Sequence, residues 1–157
     1  MIFRKLLLTI LWGKMKTKSI NVKRRKLMDP DYVHYCILNV KRYGYLLRYI
    51  EDQNPEICLN AVRSEGIALK YVKEQTHDIC LAAVKNMCMA LKYVKEQTQE
   101  ISVEAAKRNG LILRHVKEQT HDICLEAVKQ NGMALKYVKE QTHDICLEAV
   151  KESDTFV

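Results

Sequence analysis

The chain has 157 residues, 48% of them hydrophobic and 29% charged, with only five glycines and two prolines. That composition suits one globular or repeat domain, is long enough to bury a core, and excludes a turn-rich β fold or a wholly disordered chain. The net charge of +7 divides unevenly: residues 1–28 hold nine Lys or Arg and no acid, while residues 29–157 hold 17 basic and 19 acidic residues, a net of −2. The body therefore has no bulk field to draw a phosphate backbone.

Residues 1–28 form a basic, partly apolar leader. The apolar run Leu6–Trp12 is far short of the roughly 20 residues that a membrane span needs. The strongest charge, Lys23–Lys26, follows the apolar run, and no small-residue cleavage site is evident, so a signal peptide is poorly matched. Phe3, Leu6, Leu7 and Trp12 against Arg4, Lys5 and Lys14 leave an amphipathic membrane-surface anchor open. A disordered tail, or a natural start at Met15 or Met28, is the plainer expectation.

From there to Val157 the chain is periodic. Ile57-Cys58, Ile79-Cys80, Ile123-Cys124 and Ile145-Cys146 lie on a 22-residue grid, with Ile101-Ser102 in the remaining slot and Tyr35-Cys36 at its start. The units run 35–56, 57–78, 79–100, 101–122 and 123–144, and a half unit, 145–157, closes the series. Self-similarity at this period means stacked units, each burying its apolar face against the next.

Within the unit 123–144, Thr120 is placed to cap a first helix and Asp122 to suit its dipole. Asn54, Pro55 and Glu56 fill the same slots one unit type earlier, with Pro at home in the first turn. Ile123, Cys124, Ala127 and Val128 share a face at helical spacing. Gly132 follows, where a left-handed residue often ends a helix. A second short helix is expected from about Met133 to Gln141, burying Ala134, Leu135, Tyr137 and Val138, before Thr142 caps the next unit. Breaks are expected near Gly44, Gly66, Cys88, Gly110 and Gly132. Leucine-rich repeats have a similar period but need LxxLxLxxN, which is absent; a right-handed coiled coil would place the glycines in its interior; a tetratricopeptide has the wrong period. The expected fold is all-α: an α-solenoid of stacked short helix pairs over residues 29–157.

The pattern AVKQNGMALKYV, repeated one unit on, resembles the short αα repeats abundant in giant DNA viruses of amoebae, a family of unknown function. The resemblance covers about Asp31 to Lys151. It implies an all-helical repeat and a viral source, and carries over no catalytic residue.

Cysteine and histidine in fixed register invite a metal reading. Equivalent positions in a solenoid are separated by one packing step, about 8–10 Å, whereas a disulfide needs Cα atoms about 4.4–6.8 Å apart and zinc needs four convergent ligands. A ladder of one thiol per unit satisfies neither. Six free thiols are expected, the five on the grid buried as small hydrophobes, in an intracellular setting such as a host cytoplasm or virion rather than a secreted one. His77, His121 and His143 share their slot with Pro55 and Gln99, which reads as a solvated helix start. No metal, cofactor or catalytic group is selected by any motif.

Surface ladders carry the functional reading. Lys70, Lys92, Arg114 and Lys136 recur, as do Lys73, Lys95, Lys117 and Lys139, each of the latter followed by Glu74, Glu96, Glu118 or Glu140. A mixed, soluble face left by recent duplication accounts for them; so does a stripe that docks an extended partner. Lys70, Lys92, Arg114, His115 and Lys136 are the candidate binding surface. Departures from the grid concentrate mid-chain, at Cys88, Ser102, Ala106 and His115, and an atypical inner unit can mark a binding patch. Thr155 and Val157 at the end resemble the class of tails captured by PDZ domains. The expected function is a monomeric, non-enzymatic scaffold for protein–protein interaction. The alternatives are an adaptor whose leader binds nucleic acid or an anionic membrane, and an enzyme with a site that no motif reveals.

Overall fold

A computed structural model describes residues 30–154; the leader and the tail residues Thr155 and Val157 lie outside the described residues. Six α-helices alternate with five short 3-10 helices, in the order α1 (Pro30–Arg42), η1 (Gly44–Tyr49), α2 (Pro55–Ser64), η2 (Gly66–Tyr71), α3 (His77–Asn86), η3 (Cys88–Tyr93), α4 (Gln99–Arg108), η4 (Gly110–His115), α5 (His121–Gln130), η5 (Gly132–Tyr137) and α6 (His143–Asp154). Each α-helix packs on its neighbours in sequence, and so does each 3-10 helix. The result is the expected solenoid: five helix pairs and a closing half unit.

The sequence starts α2, α3, α4 and α5 where the caps stand. Asn54 Oδ1 accepts the Ile57 amide at 2.8 Å with Pro55 in the first turn, and the hydroxyls of Thr76, Thr98 and Thr120 face the amides of Ile79, Ile101 and Ile123 at 3.4 Å. The helix ends differ from expectation. The residue after each of α2 to α5, Glu65, Met87, Asn109 or Asn131, is extended, with φ between −146° and −159°, and none of Gly44, Gly66 and Gly110 has a left-handed φ. Gly44, Gly66 and Gly110 are required by crowding instead. A Cβ on Gly44 would stand 2.5 Å from the carbonyl oxygen of Ala61, and one on Gly66 would stand 2.6 Å from that of Ala83, a helix carbonyl of the following unit in each case. Glycine lets the backbone approach that closely.

The second helix also differs. It is a six-residue 3-10 turn that in the unit 123–144 ends at Tyr137, four positions before the expected Gln141. Its bonds run three residues back, as from Val94 N–H to Leu91 O at 3.1 Å and from Ala90 N–H to Met87 O at 2.9 Å. Leu and Val three apart eclipse on a 3-10 helix, so Leu91 and Val94 face the core together; they are fully and almost fully buried.

Burial shows which way each side chain faces. Ile57, Ile79, Ile101, Ile123 and Ile145 are all within 1% of fully buried, but Tyr35 at the same grid position in the first unit is 38% exposed. That face is covered by the preceding unit. Val62, Val84 and Val128 are fully buried, whereas Val150 in the last helix is 56% exposed; that face is covered by the unit that follows. Each inner unit therefore owes its core to both neighbours. Burying a Leu or Ile side chain contributes about 1.5–3 kcal/mol, so the stack stabilises its units in a way that no single unit could achieve alone.

A glutamine ties each unit to the next. The Gln75 side chain donates from Nε2 to Tyr93 O at 3.0 Å and to Leu69 O at 3.5 Å, while its Oε1 accepts the Lys95 amide at 3.0 Å and the Cys80 thiol at 3.6 Å. Gln53, Gln97 and Gln119 repeat the bridge to the following unit. The amide thus occupies the carbonyl that a continuing helix would have used, which explains why the 3-10 helix can stop there with its polar groups satisfied.

Candidate interaction surface

The two lysine ladders have different roles. Lys73, Lys95, Lys117 and Lys139 sit in the loop after each 3-10 helix. Their amides are held by the glutamine of the preceding unit. Their Nζ groups reach back a full unit, to Glu51 O at 2.6 Å, Lys73 O at 3.0 Å, Lys95 O at 2.6 Å and Lys117 O at 3.2 Å. This ladder is committed to holding units together, so its repetition has a packing cause after all.

The other ladder is not committed in that way. Lys70, Lys92, Arg114 and Lys136 are exposed on the outer edge of successive 3-10 helices, and Arg48 on η1 extends the row by one unit. Among the described residues none of the five forms an ion pair. Their neighbours are aromatic. The Arg48 guanidinium lies 5.0 Å from the Tyr49 ring centroid and 5.6 Å from that of Tyr71; Lys70 Nζ lies 4.8 Å from Tyr71, and Lys136 Nζ 4.9 Å from Tyr137. Arg114 Nε donates to His115 Nε2 at 3.1 Å. Each ring thus has a cation of its own unit beside it, and Tyr71 also has one from the unit before.

The ionisation of the edge follows from this. Tyr137 is held below its ordinary range, chiefly by its hydrogen bond with Lys136, with Arg114 adding to the effect. His115 is pushed down by burial first, then by the charges of Arg114 and Lys92. The charges felt at both positions are positive. With ammonium, guanidinium and phenol groups, the edge is rich in hydrogen-bond donors, and what it can do chemically is hold anionic oxygens. Alongside runs an apolar row, Ile67, Met89 and Leu111 half-buried and Met133 exposed, at the position three residues earlier that a 3-10 helix eclipses with the cations.

The histidines reach further than a solvated helix start. His77 Nε2 lies 3.1 Å from Glu100 Oε2 and His121 Nε2 lies 2.8 Å from Asp144 Oδ2, each pairing the first turn of one helix with that of the next; Gln99 does the same to Asp122 at 3.3 Å. These pairs are about half exposed, so each contributes little to stability. All six cysteines are free thiols. Cys36, Cys58, Cys80 and Cys124 are buried as expected; Cys146, on the last described helix α6, is only half-buried. Burial, with a smaller contribution from Glu74, pushes the Cys58 thiol up to about 11. Among the described residues no three His, Cys, Asp or Glu side chains gather as a metal site, and no helix is long and apolar enough to cross a membrane.

The mid-chain departures do not make one patch. Ser102 is 2% exposed and Ala106 fully buried, so both belong to the α4 core, while Cys88 and His115 are half-buried. A shallow depression of about 310 Å³ at the loop edge is lined by Lys73, Glu74, His77, Lys95 and Glu96 among others. Its two lysines are the committed ones. Sequence reasoning missed the glutamine bridge, although Gln53, Gln75, Gln97, Gln119 and Gln141 recur on the grid. It also missed Arg48 and the tyrosines beside the cations.

Residues 98–142 match the profile of a family described as a domain of unknown function, DUF4116. The matched stretch runs from the Thr98 cap to Thr142, two consecutive units, and fits a short helical repeat without an assigned activity. No curated protein and no solved structure matches the chain.

Proposed function

We propose that the protein is a non-enzymatic scaffold that binds a protein partner along the 3-10 edge. One observation carries this reading: the chain places a cation in every unit at Arg48, Lys70, Lys92, Arg114 and Lys136, and among the described residues none of them forms an ion pair or reaches a backbone carbonyl, whereas every lysine of the neighbouring ladder bonds to a carbonyl a unit away. Five unpaired cations in line on a body of net −2 are an asymmetry that stacking does not demand. Repeat folds present such extended surfaces on a rigid frame. The resemblance of the repeat to those of giant viruses supports a setting in an infected host cell or virion.

The test is a comparison of two charge variants as bait. One carries Lys70→Glu, Lys92→Glu and Lys136→Glu; the other carries Glu74→Lys, Glu96→Lys and Glu118→Lys on the opposite loop edge. Partners retained by the wild type and the second variant, and lost by the first, support the reading. Equal partner sets for the wild type and the first variant would refute it.

A further inference from the structure

We propose that the partner segment seated on this edge is an extended acidic polypeptide, with one carboxylate per repeat held between the cations of successive units. The inference deepens the scaffold reading and rests on it, because both take the same row as the site.

Charge selects an anion. Arg48, Lys70, Lys92, Arg114 and Lys136 form no ion pair among the described residues, and the charges acting on His115 and Tyr137 are all cationic. An oxyanion would supply the counter-charge that these cations lack, in charge-assisted hydrogen bonds.

The aromatic groups separate a carboxylate chain from a nucleic acid. A single strand binds by stacking its bases on open rings. Here Tyr71, Tyr93 and Tyr137 are half-buried against the core, and cations already lie beside Tyr49, Tyr71 and Tyr137. The rings are in use, and the phenol of Tyr137 bonds to Lys136 and Arg114 rather than standing clear as a platform. What remains for a ligand is a line of point donors beside the apolar row of Ile67, Met89, Leu111 and Met133. A peptide offers carboxylates for the first and apolar side chains for the second.

Spacing gives the register. Adjacent packed helices are about 8–10 Å apart, and an extended or polyproline chain rises about 3.1–3.3 Å per residue. Three residues then advance the peptide by one unit. Acids at every third position would meet a cation in every unit; acids at every second position would fall out of step.

The experiment uses the full chain and fluorescein-labelled peptides of equal length and charge, followed by anisotropy. One peptide has Glu at every third position with Ala and Pro between; a second has the same residues with the Glu clustered at one end. An oligothymidylate of similar length is the third probe. The leader's charge is present in every arm, so only the dependence on register and on the row counts. The proposal expects the periodic peptide to bind at least about tenfold tighter than the clustered one, a step of about 1.4 kcal/mol. It also expects that preference to vanish in the Lys70→Glu, Lys92→Glu, Lys136→Glu variant. Equal binding of the two peptides, or tighter row-dependent binding of the oligothymidylate, overturns it. If the peptides show no register effect while the row variant still loses a cellular partner, the acidic-peptide proposal fails and the scaffold reading stands. If the row variant loses no partner either, both fail.

Discussion

Replacing Gln75 with Leu should show how much the glutamine bridge contributes. The side chain makes two good inter-unit bonds, to Tyr93 O at 3.0 Å and from the Lys95 amide at 3.0 Å, and two longer ones, to Leu69 O at 3.5 Å and from the Cys80 thiol at 3.6 Å. Leu keeps the approximate volume and removes all four. The Tyr93 carbonyl and Lys95 amide then lose their partner at a half-buried joint, at about 1–3 kcal/mol for each group that water cannot reach. Partial access to water lowers that, so the expected loss is about 2–4 kcal/mol. Gln141 is the internal control. It sits in the same loop sequence, but among the described residues its bond is to Leu135 O at 3.1 Å within its own unit. Gln141→Leu should therefore cost under about 1 kcal/mol.

Urea unfolding of both variants at unchanged slope measures the difference. Gln75→Glu adds a sign. Its second carboxylate oxygen would face the Tyr93 and Leu69 carbonyls, which raises its folded-state pKa, so its deficit should be larger at pH 7 than at pH 4, where the protonated acid can donate again. A Gln75→Leu loss no greater than that of Gln141→Leu would refute the bridge as the link between units.

Gly66→Ala should destabilise the stack by about 1–3 kcal/mol, because the added Cβ meets the fixed Ala83 carbonyl at 2.6 Å; Cys88→Gly should do the opposite by less than about 1 kcal/mol after the entropy that Gly adds to the unfolded chain. The Cys88 joint is where α3 meets α4 and η3 meets η4 most sparsely in the stack, so amide exchange there should slow in Cys88→Gly, and a clear loss of stability would show that the thiol packs rather than props the joint open. His115 lies below its ordinary 6.5, so the unfolded chain takes up the proton first as pH falls below about 6.5; the stability present above that pH should decline as it is lowered, and His115→Tyr should abolish that part of the slope in melting temperature. Alkylation of the native protein near pH 8 should reach half-buried Cys88 before buried Cys58, whose thiol is pushed up to about 11; equal rates would contradict the burial.

The architecture was legible because its signals are local and repeated. Caps at Asn54, Thr76, Thr98 and Thr120, and the Ile, Cys, Ala, Val face at helical spacing, locate the α-helices and their core side. The 3-10 helices were not legible. Their apolar residues at Ala90, Leu91 and Val94 fit an α spacing nearly as well, and what ends the helix is a bond from a distant glutamine. The glycines were legible as breaks but not in cause, since a left-handed turn and a close approach call for the same residue. For Gly66 the second cause is the carbonyl of Ala83, in the next unit and out of sight of any local pattern. The candidate row was legible by periodicity, though the same periodicity marked Lys73, Lys95, Lys117 and Lys139, and only their bonds to Glu51, Lys73, Lys95 and Lys117 carbonyls separate the two.

That separation bears on what repetition means in this chain. The bridging ladder is lysine in four successive units, and its first-unit equivalent is Glu51, whose carbonyl is the acceptor that begins the series. Its geometry is fixed: a flexible stem and a compact ammonium reach one carbonyl a full unit away. The outer row is Arg48, Lys70, Lys92, Arg114 and Lys136. Arg and Lys differ in shape, hydration and hydrogen-bond geometry, and are not interchangeable where a fixed contact must be made. They share only the sign of their charge. Duplication alone would copy one residue and then let the exposed position drift among soluble types, as the helix-start slot does with Pro55, His77, Gln99, His121 and His143. The outer row changes residue three times without changing sign. What five units hold in common there is positive charge facing outward, which the proposed acidic partner would account for.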